Sequence, residues 1–278
     1  MVMSYSALPH APTAGHHATP HIEGMDSSQA LPSSFQAPPL ALLAMEPLRA
    51  MLDYCAARIG SEPTPVGDGH PVVVYPGLGG GAMSTSHLRR FLQQSGFGAR
   101  DWERGVNTGP QGEFDDWLGT LVQHVRDLHD EHGSTVSLVG WSLGGVYARE
   151  IAKLCPGSVR QVITLATPFG SLGGGNHAGT VYKLLKRDTP QITPEIEARL
   201  RERPPVPTTS IYSKTDGIVS WRGCIERKTA QSENVEVAAS HLSMGTHAQV
   251  LRIVANRLAQ PEGKWRPLRR SERVGNRK

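Results

Sequence analysis

Val136-Ser137-Leu138-Val139-Gly140-Trp141-Ser142-Leu143-Gly144-Gly145-Val146-Tyr147-Ala148-Arg149-Glu150 joins an apolar run to a helix-like segment through a pentapeptide with serine at its centre. A strand, a sharp turn and a helix in succession read as a nucleophile elbow, which lifts a hydroxyl out of the fold where a base can take its proton. The glycines two before and two after Ser142 leave no Cβ to clash across that turn. G-x-S-x-G is short and also occurs in purely structural turns. The strand before it, the helix after it and the further glycine at Gly145 make Ser142 the candidate nucleophile.

On either side of this stretch, strand and helix patterns alternate. Upstream, Pro71 to Tyr75 reads as a strand opening onto Pro76-Gly77-Leu78-Gly79-Gly80-Gly81. A helix beginning at Ser84 or Ser86 and ending near Gly96 carries Leu88, Phe91 and Leu92 on one face. A short strand near Ala99 to Glu103 follows, then a long amphipathic helix traced by Phe114, Leu118, Leu121, Val122, Val125 and Leu128 and stopped by Gly133. Downstream, the mostly apolar Val159 to Ala166 reads as a strand covered on both faces, and Thr209 to Tyr212 and Asn234 to Val237 read as two more. A final helix from about Thr246 to Leu258 builds its face on Val250, Leu251, Val254 and Leu258. Near the other end, Leu43, Leu48, Met51, Leu52 and Ala56 recur at helical spacing over Leu40 to Ile59, with Pro47 expected close to the helix start. The alternation predicts an α/β protein with a doubly wound, mostly parallel sheet of about six strands, whose active site belongs at the carboxyl ends of the strands.

The 278 residues suit one α/β domain of ordinary size, expected over residues 40–262. Residues 1–39 are rich in Ala, Pro, Ser, Thr and His without a hydrophobic period and read as disordered. Their histidines, His10, His16, His17 and His21, then have no framework to hold a metal. The net charge is +4, yet Lys264 to Lys278 carries seven Lys or Arg against Glu272, leaving 22 basic and 24 acidic residues elsewhere. The basic surplus therefore belongs to the tail, residues 263–278, which reads as solvated and able to touch an anionic surface weakly. Nucleic acid is not expected as a ligand. Cys55, Cys155 and Cys224 are odd in number and far apart, which argues against a disulfide framework and suits a reducing, cytoplasmic setting. The first forty residues hold no Lys or Arg and no continuous apolar segment, so no secretory signal is expected, and no window is long enough for a membrane span.

GWSLGG at Gly140 to Gly145, YPGLGGG at Tyr75 to Gly81, KTDGIV at Lys214 to Val219 and SHLSMG at Ser240 to Gly245 together resemble an α/β-hydrolase of the bacterial lipase and esterase type, over about Pro71 to Leu258. The resemblance implies a triad in the order serine, acid, histidine. Asp216, on a tight turn after a strand, is the matching acid, with Asp188 as runner-up. His241 is the matching base, with His247 as runner-up. His87, His124, His129 and His132 fall on helices before the elbow and read as solvated or structural. The resemblance also implies an oxyanion hole built from the backbone N–H groups of Leu143 and Leu78. Many lipases have His-Gly at the latter loop, where this chain has Pro76-Gly77. A phosphate cradle is the rival reading of that glycine-rich loop, and it lacks both the G-x-x-x-x-G-K-[ST] and the dinucleotide spacing.

Residues 168–207 are expected to form a small cap. Phe169, Leu172, Val181, Tyr182 and Leu184, with Trp141 and Trp221, would either line an apolar acyl pocket or belong to the core. The first two of the eight strands of such a sheet have no counterpart, and the Leu40 to Ile59 helix is expected in their place. The implied activity is a serine hydrolase cleaving a small ester with an apolar acyl group through an acyl-enzyme on Ser142, without metal or organic cofactor. A thioesterase or acyltransferase using the same triad, and a non-catalytic binding protein on the same scaffold, are the alternatives.

Overall fold

Each apolar run read as a strand is one in the computed structural model, which describes residues 36–60, 66–171 and 194–269. β1 (Pro71–Tyr75), β2 (Gly98–Asp101), β3 (Val136–Trp141), β4 (Val159–Leu165), β5 (Thr208–Ser213) and β6 (Ser232–Val237) form a single sheet in the order β2-β1-β3-β4-β5-β6. All five neighbouring pairs are parallel. β1 is buried along its whole length, which is why it reads as an unbroken Val run rather than as an alternation.

The side-chain period of two divides this sheet between two cores. Val72 and Val74 face a layer containing Leu88, Phe91 and Leu92 of α2 (Ala82–Gln94) and Val250, Leu251 and Val254 of α6 (Ala248–Leu258). Val73 and Tyr75 face the opposite layer, with Leu118, Leu121 and Val125 of α3 (Phe114–His132) and Val146, Tyr147 and Ile151 of α4 (Leu143–Leu154). From β1 the chain first crosses to β2 on one side and then returns to β3 on the other. The strand order therefore reverses between β1 and β3, and the crevice outside their carboxyl ends is the natural ligand position.

Several expectations need correction. α2 begins at Ala82, ahead of the expected serines, because Ser84 folds back on Gly81: its hydroxyl accepts the Gly81 N–H at 3.0 Å and donates to the Gly81 carbonyl at 2.7 Å. α1 (Leu40–Gly60) forms as expected, but Pro47 lies inside it rather than near its start. Its packing is also reversed: Leu48, Met51 and Leu52 are 46%, 58% and 57% exposed, whereas Glu46 is 1% exposed. Finally, α1 takes its side-chain anchors from the loops after β5 and β6, not from the β2 edge where two further strands would lie.

Most of the expected N-terminal segment with its histidines, the cap residues Leu172, Val181, Tyr182 and Leu184, Asp188, and the end of the basic tail lie outside the described residues. Of the expected cap, α5 (Pro194–Arg201) docks on the α3 and α4 side through Leu200, and Arg199 reaches Asp115 at 2.7 Å and Glu150 at 3.3 Å. No helix among the described residues is long and apolar enough to cross a membrane.

Candidate active site

β3 ends in a turn that no ordinary sequence could make. Ser142 has φ 53° and ψ −120°, a region that side-chain-bearing residues avoid, and such strain costs about 1–3 kcal/mol. It is held there by its own N–H, which donates to the Leu165 carbonyl on β4 at 2.8 Å, and by its carbonyl, which accepts the Gly145 N–H at 3.0 Å. A Cβ at Gly140 would come within 2.3 Å of the Gly145 Cα, and one at Gly144 within 2.4 Å of the Tyr75 carbonyl oxygen. Both positions need glycine for close backbone approach. Ser142 thus stands at the start of α4, whose first N–H groups have no partner within the helix.

Asp216 follows β5 and lies on the turn that precedes the 3-10 segment Trp221–Cys224. Its Oδ1 accepts the N–H groups of Ile218 and Val219, both at 2.8 Å. That leaves Oδ2 to accept His241 Nδ1–H at 2.7 Å, with His241 held on the loop after β6. The bond fixes the tautomer and turns Nε2 away from the carboxylate. Both side chains are buried. Burial alone pushes the imidazole pKa down, but the Asp216 charge and hydrogen bond, together with the Glu46 charge, outweigh it and hold His241 above its ordinary value. Trp141, the residue before Ser142, carries its ring 6.3 Å from the His241 ring. No hydrogen bond links Ser142 Oγ to His241 among the described residues; such bonds are often long until substrate binds.

The loop after β1 lies against the serine: a Cβ on Gly77 would be 3.3 Å from the Ser142 Cβ. A tight turn closes it, with the Gly80 N–H on the Gly77 carbonyl at 2.9 Å and Gly79 at φ 74°. Leu78 sits in this turn, and among the described residues its N–H donates to no backbone carbonyl. Leu143 is the first residue of α4, so its N–H has no intrahelical acceptor either.

Two residues that matter here escape sequence reading. Buried Asn107 clamps the β1 loop: its Nδ2 donates to the Pro76 carbonyl at 2.8 Å, its N–H to the Gly80 carbonyl at 2.7 Å, and its carbonyl accepts the Gly79 N–H at 2.7 Å. Its Oδ1 accepts from the Gly109 N–H at 3.0 Å and the Tyr147 hydroxyl at 3.2 Å. In sequence, Asn107-Thr108-Gly109-Pro110 reads only as a turn. Glu46 of α1 is the second. Its signal is the polar series Glu46, Arg49, Asp53, which falls on one helix face within an otherwise apolar segment.

The remaining candidates have defined surroundings. Phe169 is buried with the Arg149 guanidinium 3.6 Å above its ring. Trp221 stacks on Tyr212 at 5.8 Å and lies under Lys214 and Arg222. His247 occupies the position before α6, with Nε2 4.0 Å from Asp53. A second Asp-His-Ser array exists at the opposite ends of the strands, where His70 Nε2 lies 2.8 Å from Ser137 Oγ and Nδ1 meets Asp68. Ser137 is wholly buried inside β3, and burial pushes the His70 pKa down, so this array staples the strand starts. Cys55, Cys155 and Cys224 are free thiols. Among the described residues no group of three His, Cys, Asp or Glu is arranged to hold a metal.

No protein-family model matches the sequence, and no curated protein matches it. Solved structures do. Lipase B of Aspergillus fumigatus aligns with a TM-score of 0.53 at 16% identity, over 74% of this chain and 57% of that one. The mature lipase BlEst2 of Bacillus licheniformis aligns with a TM-score of 0.53 at 17% identity, over 72% and 95%. A monoacylglycerol lipase of Paleococcus ferrophilus gives a TM-score of 0.51 at 18% identity, over 72% and 97%. The chain has the α/β-hydrolase fold. Identities this low carry the fold and no more, and the chain spans little more than half of the Aspergillus protein. Within the α/β-hydrolase fold, the elbow after β3, the carboxylate after β5 and the histidine after β6 all lie at carboxyl ends of strands.

Proposed function

We propose that this α/β-hydrolase is a serine hydrolase that cleaves carboxylic esters through an acyl-enzyme on Ser142. The observation that carries the reading is the 2.7 Å bond from His241 Nδ1 to Asp216, made at the same end of the sheet as the strained elbow. The lipases among its structural neighbours support the same class of substrate.

His241 Nε2 takes the Ser142 proton as Oγ attacks the ester carbonyl. The N–H groups of Leu143 and Leu78 donate to the developing oxyanion, a contribution of about 3 kcal/mol per donor. His241 then protonates the leaving alcohol, and water activated by the same imidazole frees the acid. Asp216 keeps the proton on Nδ1 and stabilises the imidazolium as it forms. Trp141, next to Ser142 in the chain and with its ring 6.3 Å from that of His241, forms the apolar wall nearest the acyl group; Phe169 and Trp221 are further candidates for that wall.

Purified protein treated with a fluorophosphonate probe should be labelled at Ser142 and should hydrolyse p-nitrophenyl esters. Ser142→Ala should lose both properties with an unchanged melting temperature. Turnover retained by the pure mutant would sink the assignment, and labelling without ester turnover would move it to thioesters or acyl transfer.

A further inference from the structure

Glu46 is a buried carboxylate with no Lys or Arg paired to it among the described residues. A charge in that setting survives only where hydrogen bonds replace water. Glu46 has three, all from backbone N–H groups. Oε1 accepts from Gly217 at 2.7 Å and from His241 at 3.0 Å, and Oε2 accepts from Leu242 at 3.0 Å. One donor is the peptide N–H of the base itself. Another belongs to the residue that follows the acid. A single side chain from α1 therefore ties together the two loops that carry the acid and the base.

The rest of α1 is arranged around the same contact. Arg49, one turn on, donates to the Thr215 carbonyl and, at 2.8 Å, to the Thr215 hydroxyl, just before Asp216. Asp53, a further turn on, accepts from the Ser243 hydroxyl at 2.5 Å and the Ser240 N–H at 3.5 Å, on either side of His241. The backbone fit is close as well, since a Cβ on Gly217 would meet Leu42 at 2.5 Å. Meanwhile Leu48, Met51 and Leu52 are turned outward. A helix held mainly by burial would do the opposite.

On the serine-hydrolase reading above, we propose that Glu46 is a positioning residue: its carboxylate clamps the Asp216 turn to the His241 loop and sets the distance between acid and base. Two properties of Glu46 matter, its reach and its charge. The reach holds both backbones through charge-assisted bonds, which are short and directional. The charge adds to that of Asp216 in favouring the protonated His241 ring. Among the described residues, Asp216 from the β5 loop and Glu46 from α1 are the charged groups acting on that ring.

The test compares Glu46→Gln and Glu46→Asp with the parent protein. Gln keeps the volume but loses the charge and sets an amide N–H₂ against one backbone N–H. Asp keeps the charge and shortens the reach. In Glu46→Gln, kcat should fall by about a hundredfold with KM unchanged, the loss that a misplacement of about 1 Å produces, and the acid limb of kcat/KM should move to lower pH. In Glu46→Asp, kcat should fall while that limb stays in place. The downfield proton resonance of His241 Nδ1–H, read without substrate, should broaden or vanish in Glu46→Gln. This signal tests the clamp even if the parent protein turns over no ester, so failure of the clamp and failure of the hydrolase reading remain distinct. A folded Glu46→Gln with parental kcat, pH profile and resonance, altered only in melting temperature, would overturn the proposal. Should Glu46→Gln not fold, the same readouts on Glu46→Asp decide the matter, with an unchanged kcat counting against it.

Discussion

His241 carries the pH dependence of the proposed reaction. The base works only when neutral, and its partners hold its pKa above the ordinary value of about 6.5. The kcat/KM profile should therefore rise with pH through a midpoint above about 6.5; a midpoint below that would contradict the electrostatics described. Asp216→Asn should lower this midpoint and cut kcat by about 10⁴-fold, because the imidazole then loses both its charge partner and its tautomer. The linkage to stability has a definite sign. A raised histidine pKa stabilises the folded state below the unfolded value, and that contribution is lost as pH rises through the folded value. At this scale much of the candidate site is legible in sequence, because an elbow needs glycine at Gly140 and Gly144 for steric reasons and leaves them in the chain as a pattern. Asn107 is not legible. Its work is done through contacts to Pro76 and Tyr147 that no local pattern announces.

Elements are legible where burial follows the hydrophobic period. β1, β3 and β4 and helices α3 and α6 satisfy that condition, and their ranges agree with the sequence reading to within a residue or two. α1 does not. Its apolar residues predict a packed face, yet loops with unpaired N–H groups take its carboxylates instead, and Pro47 is tolerated inside it. The β1 loop is likewise held by a partner from elsewhere. Removing the Asn107 side chain leaves the buried Pro76 carbonyl and Gly109 N–H without those bonds, at about 1–3 kcal/mol for each orphaned group. Asn107→Ala should therefore melt earlier, and its folded fraction should react more slowly with the fluorophosphonate, since the loop that carries the Leu78 N–H keeps its backbone bonds to residue 107 but loses the side-chain tie at Pro76. A lower melting temperature with an unchanged labelling rate would confine Asn107 to stability.

The whole molecule is fastened on its α4 side by a buried ion pair. Arg149 reaches Glu226 and the Glu202 carbonyl while stacking on Phe169. Burial pushes the Arg149 pKa down and the Glu226 charge opposes this, so the cation depends on its partner. Glu226→Ala should cost about 3–5 kcal/mol in urea unfolding, because it leaves an uncompensated charge inside the fold. Arg149→Met combined with Glu226→Leu should recover most of that loss; if the single and double variants are equally unstable, packing rather than charge is responsible.

The clamp also bears on how the protein folds. Glu46 is separated from its Gly217 and His241 donors by 171 and 195 residues of chain. Loop closure over such distances is costly, and parallel strands, each needing a crossover, pair slowly. We expect the long-range contact from α1 to form after β5 and β6 have joined the sheet, since their loops carry its donors. On refolding, helical signal and tryptophan fluorescence should therefore return before the acid and base are aligned, and ester turnover should be the last property regained.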